Sequence, residues 1–159
     1  MRKNREKEDN GTYFVKSSIV PETAKELCSE ETQSMFMEVI EHAMVKFNIL
    51  IENFIILKEE FQIVIKTIGN TDISLVMQWI KQVFSIRFNR KFNRFGTVWT
   101  GRFKSVLLKI KEKVQEYVKI INDLPIKLKL CLEADDFHFS GLFHIKNRIK
   151  TIIKKPHLY

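Results

Sequence analysis

Several features that define large protein classes are missing from this sequence. Its two cysteines, Cys28 and Cys131, lack the spacing of a metal site, and we expect them to be buried small hydrophobic residues. No apolar run approaches the roughly eighteen residues of a membrane-spanning helix. The most hydrophobic stretch, 49–57, is interrupted by Glu52 and Asn53. A transmembrane protein is therefore excluded, and we expect no membrane partner.

The N-terminus also lacks the apolar region of a secretory signal, because its first ten residues are dominated by charge and no hydrophobic segment follows. We therefore expect a cytoplasmic protein. A length of 159 residues with 45% hydrophobic content fits one compact domain. We expect a flexible N-terminal segment at 1–10, the domain itself at 11–125, and a C-terminal extension at 126–159 packed on the same domain.

Acidic residues are absent from the central segment 85–105, which contains six cations and five Phe or Trp residues. The wider region 81–113 has ten basic residues and one acidic residue, so its charge of +9 accounts for the whole net charge of +8. Cations replace the counterions of a phosphate backbone, and aromatic rings stack on unpaired bases. This composition predicts a nucleic-acid surface. The predicted phosphate contacts are Arg87, Arg90, Lys91, Arg94, Arg102 and Lys104, and the predicted stacking residue is Trp99.

A simpler interpretation of the same segment stays open. The cations could form a solvated helix face while Phe88, Phe92, Trp99 and Phe103 belong to the core. A face that serves only solubility normally mixes both signs of charge, however. The absence of any acid between Lys81 and Lys111 therefore favours binding to a polyanion.

The periodicity of apolar residues predicts the order of elements. Alternation with period two indicates strands, and spacings of three and four indicate amphipathic helices. The predicted strands are 11–20, 49–57, 61–68 and 97–110, and the predicted helices begin near Glu30, Asp72 and Lys111. Gly96 and Pro125 are expected to end the second and third helices, and Gly101 to mark a bulge. The order βαββαβ predicts an α+β fold: a ferredoxin-like antiparallel sheet with helices on one face plus C-terminal helices.

Specific phrases within these elements resemble a known family. The run from Met77 to Gln82 (MQWIKQ) and above all the run from Gly96 to Ser105 (GTVWTGRFKS) are similar to the REP-associated branch of the single-tyrosine HUH transposases. The opening GTYFVKSSIV resembles the first strand of that family. The resemblance extends over roughly 11–141 and implies a transposase-like domain at 11–125 that binds single-stranded or hairpin DNA. Relatives include both dimers and monomers, so a homodimer stays open.

The family binds a divalent metal through two histidines on its third strand, and the metal polarises the scissile phosphate. Alignment places Glu60 and Gln62 where these histidines should stand. Both side chains alternate onto one face and carry oxygen atoms, so the resemblance leaves a Mg²⁺ or Mn²⁺ site at Glu60 and Gln62 open. The loss of both histidines favours a chain without a metal cofactor.

The nucleophile of the family is a tyrosine on the helix after the fourth strand, and Tyr117 stands at that position. The following asparagine, Asn122, comes one residue later than in the family, and Ile121 replaces a polar group near the metal. A tyrosine on an apolar stripe is also typical of a helix that packs on a core.

Three hypotheses follow from the sequence. The leading one is a transposase-like DNA-binding protein that has lost its metal site and does not cleave. The second is an active nuclease or transposase with a rewired metal site at Glu60 and Gln62 and Tyr117 as nucleophile. The third is a non-enzymatic module whose basic face meets an acidic protein or membrane surface.

Overall fold

The fold is described from a computed structural model that covers residues 4–27 and 29–154. Cys28, the first three residues and the last five lie outside the described residues. The strands are β1 (Thr12–Ser18), β2 (Ile49–Ile56), β3 (Glu60–Thr67) and β4 (Lys104–Leu107). The helices are α1 (Pro21–Leu27), α2 (Glu30–Lys46), α3 (Ile73–Lys91), α4 (Lys111–Lys127) and α5 (Gly141–Lys146), with a 3₁₀ turn at Ala134–Asp136.

The four strands form one antiparallel sheet in the order β2-β3-β1-β4. In this order β1 pairs with β3 on one side and with β4 on the other. The helical connections α2 and α3 each cross over a neighbouring strand, as the predicted βαββαβ pattern requires. The predicted α+β class and ferredoxin-like arrangement are confirmed.

One face of the sheet holds the larger core. Alternate residues of β1 and β3 point to this face and meet the apolar stripes of α2 and α3. Phe36 of α2 illustrates the packing, because its ring lies 4.7 Å from Phe61 of β3 and 5.1 Å from Phe84 of α3. Full burial of such aromatic side chains contributes about 1.5–3 kcal/mol each to folding.

The opposite face is covered by α4. Val118 and Ile121 of this helix pack on Ile55 and Val64 of the sheet in a second, smaller core. A bulge in β2 between Ile51 and Asn53 directs the buried Asn53 side chain at the helix. Its amide nitrogen donates to the carbonyl of Val118 at 3.3 Å and to Oδ1 of Asn122 at 2.9 Å. These bonds fix the position of α4 on the sheet.

The fourth strand is shorter than predicted. Regular pairing covers only Lys104–Leu107, and an isolated bridge joins Trp99 to Ile19 beyond it. Between the Lys16–Lys104 pair and the Ile19–Trp99 bridge, the β1 segment spans three residue steps. The segment that leads into β4 spans five over the same distance. The two extra residues surround Gly101, where the predicted irregularity does occur.

Helix ends also differ from the sequence prediction, since α3 stops at Lys91, before Gly96. Asn93 takes up the left-handed conformation with φ of 48°, and the amide of Arg94 donates to the carbonyl of Asn89 at 2.8 Å. This is a Schellman motif with Asn in place of the usual Gly. In α4, Pro125 does not end the helix but lies in its last turns, where the missing N–H removes only one bond.

The C-terminal extension packs on the edge strand β2. The amide of Ile56 donates to the carbonyl of Phe139 at 2.9 Å, and Ile152 and Ile153 are buried in the larger core. Cys131 is partly exposed on the loop after α4, contrary to the expectation of burial, because α4 ends at Lys127 and leaves this loop at the surface. Within the described part of the chain, no helix is long and apolar enough to cross a membrane.

The described part of the N-terminal segment, 4–10, contacts the domain. Lys7 forms an ion pair with Asp72 at 2.7 Å, and the amide of Asn10 donates to the carbonyl of Gly69 at 3.0 Å. Arg5 packs on Phe103. The sequence prediction of a flexible segment did not include these contacts, because their partners lie far away in the chain.

His144 of α5 gives a pH dependence to the folded state. Its ring is 5% exposed and packs edge-on against Phe54 at 5.0 Å, and burial lowers its pKa below the ordinary value. Because the unfolded chain then binds more protons, the free energy of unfolding should fall as the pH drops through about 6.5. We expect His144→Phe to flatten this dependence in chemical denaturation. The exposed His138→Phe serves as control, and an equal effect of both variants would contradict the assignment.

Candidate nucleic-acid interface

The cations of the central segment do not form one continuous face. Arg87 and Lys91 point toward α2 and pair with acids of that helix. Arg87 lies 3.5 Å from the carboxylate of Glu38 and 2.9 Å from Nδ1 of His42, and Lys91 forms an ion pair with Glu31. The positive charges of these two predicted phosphate contacts are therefore partly compensated by ion pairs that link α3 to α2.

Arg90 and Arg94 have different surroundings. Arg90 is exposed and has no acid within ion-pair distance among the described residues. Arg94 donates to the hydroxyl of Thr23 at 2.8 Å, and its guanidinium carbon lies 5.4 Å from the ring centre of Phe88. A neutral hydroxyl and an aromatic face leave its positive charge uncompensated.

Trp99, the predicted stacking residue, lies in the core. It is 9% exposed, and its ring centre lies 5.5 Å from both Phe61 and Phe84. The indole nitrogen donates to the carbonyl of Lys81 at 3.0 Å. Stacking on a base would require this ring to leave the core, so Trp99 drops out of the contact set. The alternation of residues in the predicted strand could not reveal its side, because the strand is interrupted at Gly101.

Phe95 is the aromatic residue that the sequence analysis missed. Its side chain is 93% exposed, in the turn between the left-handed Asn93 and Gly96, whose φ is 95°. The other aromatic residues of 85–105 lie on the stripe of α3 or are buried beside β4. In the sequence, Phe95 belongs neither to the helical stripe of α3 nor to the alternating pattern of the strand that follows. This position could have distinguished it from the buried aromatic residues.

Lys104 lies on the other face of the sheet from the helices α2 and α3. It pairs with Lys16 of β1, which pairs in turn with Gln62 of β3. Directly opposite residues of neighbouring strands project to the same face. Lys104, Lys16 and Gln62 therefore form one row across the sheet, on the face that α4 covers. Lys16 was not among the predicted site residues.

The positions of the missing histidines are occupied by a closed polar cluster. Nζ of Lys16 lies 2.9 Å from Oε2 of Glu60, and the amide nitrogen of Gln62 donates to Oε1 of the same carboxylate at 2.7 Å. Both carboxylate oxygens of Glu60 therefore already have partners, one of which is a cation.

This donor set does not fit a divalent metal. Mg²⁺ and Mn²⁺ require several oxygen or nitrogen ligands that converge on one point, whereas the ammonium of Lys16 lies beside the carboxylate and would repel the ion. Across residues 4–27 and 29–154, no group of three His, Cys, Asp or Glu residues could hold a metal.

Tyr117 shares the sheet face with this cluster. Its ring is partly buried and lies 4.8 Å from the ring centre of Phe14 of β1. Phe14 stands two residues before Lys16, and next neighbours on one face of a strand are about 7 Å apart. The structure therefore brings Tyr117 to the same side of the sheet as Glu60 and Gln62, on a helix that Asn53 fixes.

A ferredoxin-like antiparallel sheet with a tyrosine-bearing helix across one face, opposite the third strand, is the architecture of HUH-type transposases. The family model described as "Transposase IS200 like" matches residues 14–121, which is more than half of the chain. The chain therefore belongs to the family of IS200-like transposases, and the resemblance seen in the sequence is confirmed at this level.

Solved structures show the same fold. A REP-associated tyrosine transposase bound to a REP hairpin superimposes with a TM-score of 0.77 and 18% identity, covering 95% of this chain and 88% of that one. A protein from Deinococcus radiodurans R1 with a provisional assignment as a transposase gives a TM-score of 0.52 and 10% identity, covering 76% of this chain and 97% of that one. A search of the curated proteins gave no match.

The cluster around Glu60 leads to a prediction about metals. A ligand that binds only the folded state raises the melting temperature. Because Lys16 and Gln62 already occupy both carboxylate oxygens, we expect an excess of Mn²⁺ or Mg²⁺ to leave the melting temperature unchanged in a thermal shift assay. A rise with Mn²⁺ that disappears in Glu60→Gln, and persists in the neighbouring control Glu59→Gln, would contradict this.

Proposed function

We propose that this chain is a transposase-like protein that binds single-stranded or hairpin DNA and does not cleave it. The observation that carries the proposal is that the fold keeps features suited to binding DNA but not the metal ligands that cleavage would need. Uncompensated cations and an exposed aromatic ring lie along the segment 90–104, while the positions of the metal ligands hold an internal ion pair. The first feature supports binding and the second argues against cleavage.

The binding surface begins at the end of α3 and follows the loop toward β4. Arg90, Arg94 and Arg102 have no acidic partner in the part of the chain that the structure describes, and Lys104 is exposed at the edge of the sheet. A phosphate backbone that meets these four cations would release condensed counterions. Arg87 and Lys91 contribute less, because DNA would have to compete with Glu38 and Glu31 for them.

Phe95 is the stacking residue of the proposed surface. Its ring is exposed beside Arg94, so a base can stack on the ring while a neighbouring phosphate meets the guanidinium. Stacking needs a base whose face is accessible, and such bases occur in single strands and in hairpin loops or ends. The relative of similar fold bound to a REP hairpin supports the same class of DNA for this chain.

Loss of cleavage follows from the chemistry of phosphoryl transfer. The reaction needs neutralisation of the non-bridging oxygens and an aligned nucleophile. Lys16 lies beside the positions of the metal ligands, but its charge is shared with Glu60 at 2.9 Å. In addition, the ring of Tyr117 packs on Phe14.

One observation favours the second candidate function, a rewired nuclease. Tyr117 lies on the same face as Glu60 and Gln62, as an active site of this type would require. If Glu60 released Lys16 in the presence of DNA and a metal, the three groups would again face a phosphate.

The first test is a fluorescence-anisotropy titration of the full chain with a hairpin, a single strand of the same composition and a blunt duplex. We expect tighter binding to the hairpin and the single strand than to the duplex. Three or four phosphate contacts should give a slope of log K against log salt of about −2 to −3 for a single strand. Absence of binding at low salt, or binding without salt dependence, would refute the proposal.

Phe95→Ala refines this titration. Loss of one stacked base lowers affinity by about 1–3 kcal/mol, and we expect this loss with the single strand and the hairpin but not with the duplex. Leu132→Ala is the matched control, since its side chain is also 93% exposed but lies outside the proposed surface. Equal affinities of both variants and the wild type would remove Phe95 from the site.

The second test addresses cleavage. We expect no covalent protein–DNA adduct when the wild type is incubated with labelled single-stranded or hairpin DNA and Mg²⁺ or Mn²⁺, analysed on a denaturing gel. An adduct that forms in the wild type and is lost in Tyr117→Phe would establish the nuclease instead. Tyr13→Phe, a change in a core tyrosine outside the α4 face, controls for non-specific effects of the substitution.

A further inference from the structure

A second group of cations joins Arg102, at one end of the surface 90–104, to two cations outside that surface, one of which belongs to the N-terminal segment. Arg5 donates to the carbonyl of Phe103 at 2.8 Å, and its guanidinium carbon lies 3.8 Å from the ring centre of the same residue. The hydrogen bond and the stacking contact hold Arg5 in place next to Arg102, the last exposed cation before β4.

Lys81 completes this group from the middle of α3. Its ammonium donates to the carbonyl of Gly101 at 2.5 Å and lies 5.3 Å from the ring centre of Trp99. Burial and the nearby charge of Arg5 lower the pKa of Lys81 to about 8. Burial and the charge of Arg102 likewise lower the pKa of Arg5. The charge of Asp72 opposes this shift in part, but none of the three cations has an ion-pair partner among the described residues.

The acid nearest to this group is already used. Asp72 caps α3 by accepting from the amide of Ser74 at 2.7 Å, and it forms an ion pair with Lys7 at 2.7 Å. Arg102 is exposed and has no ion-pair partner among the described residues. A folded chain that brings three uncompensated cations together leaves a strong positive potential at one place.

Two adjoining cavities open between these cations. The first, of about 430 Å³, is lined by Asn4, Arg5, Lys7, Ser74 and Arg102. The second, of about 340 Å³, lies on the other side of Arg5 and adds Gln78, Lys81, Gly101 and Phe103. Arg5, Ser74 and Arg102 line both cavities, so together they form one cleft at the N-terminal half of α3. Ser74 and Gln78 add neutral hydrogen-bond donors to the charged ones.

We propose that the cleft formed by Arg5, Lys81 and Arg102 binds a phosphate group of the DNA, as an anchor point separate from the surface at the C-terminal end of α3. Phosphate groups are commonly bound by the paired N–H donors of a guanidinium together with the ammonium of a lysine. The inference rests on the proposed DNA binding. It extends the path of the DNA strand from Arg90 past Arg102 toward the N-terminal segment. Arg5 thereby gives that segment a role in binding.

The test compares Arg5→Gln with the wild type in anisotropy titrations with a hairpin that carries either a 5′ phosphate or a 5′ hydroxyl. Arg5 lies in the N-terminal segment, outside the core and outside the surface 90–104, so its replacement leaves the cations of that surface in place. We expect about tenfold weaker binding at low salt and a salt slope smaller by about 0.7–0.9. Arg148→Gln, an exposed arginine far along the chain, is the matched control and should leave both quantities unchanged.

The two hairpins identify which phosphate is bound. A loss that Arg5→Gln shows with both hairpins indicates an internal phosphodiester, and a loss confined to the phosphorylated hairpin indicates the terminal phosphate. Wild-type affinity and slope in Arg5→Gln would overturn the inference while leaving the proposed function intact. Failure of the wild type to bind any of these DNAs would instead refute the proposed function.

Titration of Lys81 provides an independent readout. A bound phosphate favours the charged ammonium, so wild-type affinity should fall as the pH rises through about 8. In Lys81→Arg the side chain stays charged, and the fall should disappear. The other charged groups around the cleft are Arg5, Arg102, Lys7 and Asp72. The same fall in both proteins would contradict a phosphate contact by Lys81.

Discussion

The packing of Trp99 into the core determines the geometry of the whole basic loop. Its ring fills the space between Phe36, Phe61 and Phe84, and its indole nitrogen is bonded to the carbonyl of Lys81. The indole bond ties the loop 93–103 to α3, and the backbone bridge between Trp99 and Ile19 ties it to the end of β1. The exposed residues on either side, Phe95 and Arg102, are therefore held by a rigid anchor although they lie in a loop.

The division of the charges follows from the same geometry. Residues of α3 that face α2 meet acids and become part of the helix packing, whereas residues of the loop face solvent and keep their charge. The value of a cation for binding DNA therefore depends on its neighbours more than on its position in the basic run. On the opposite face, Glu60 stands where the family has a metal ligand, and the ammonium of the neighbouring Lys16 pairs with its carboxylate.

The architecture could be predicted from the sequence because it depends on periodicity and order alone. Apolar patterns indicated the correct elements for the β2–β3 hairpin and for the stripes of α2 and α3. The phrase around Trp99 indicated the family. The charge pairing could not be predicted in this way, since Glu31 lies 60 residues from Lys91 in the sequence and Glu38 is similarly distant from Arg87.

Two further differences from the prediction depend on contacts between distant parts of the chain. The side on which Trp99 points depends on two extra residues at Gly101, which shift the alternation of the strand in its pairing with β1. Arg5 was missed because its partner Phe103 lies 98 residues away in the sequence. In each case the decisive information is a long-range contact that no local pattern of residues contains.

The burial of Ile152 and Ile153 limits how this protein can be divided. Both side chains lie in the core between the sheet and the helices α2 and α3, and the close approach of Gly141 to Asn53 secures the same segment against β2. Two fully buried isoleucines contribute about 3–6 kcal/mol, a large part of the 5–15 kcal/mol that stabilises an ordinary domain. A fragment that ends after the tyrosine-bearing helix would therefore lack part of its own interior.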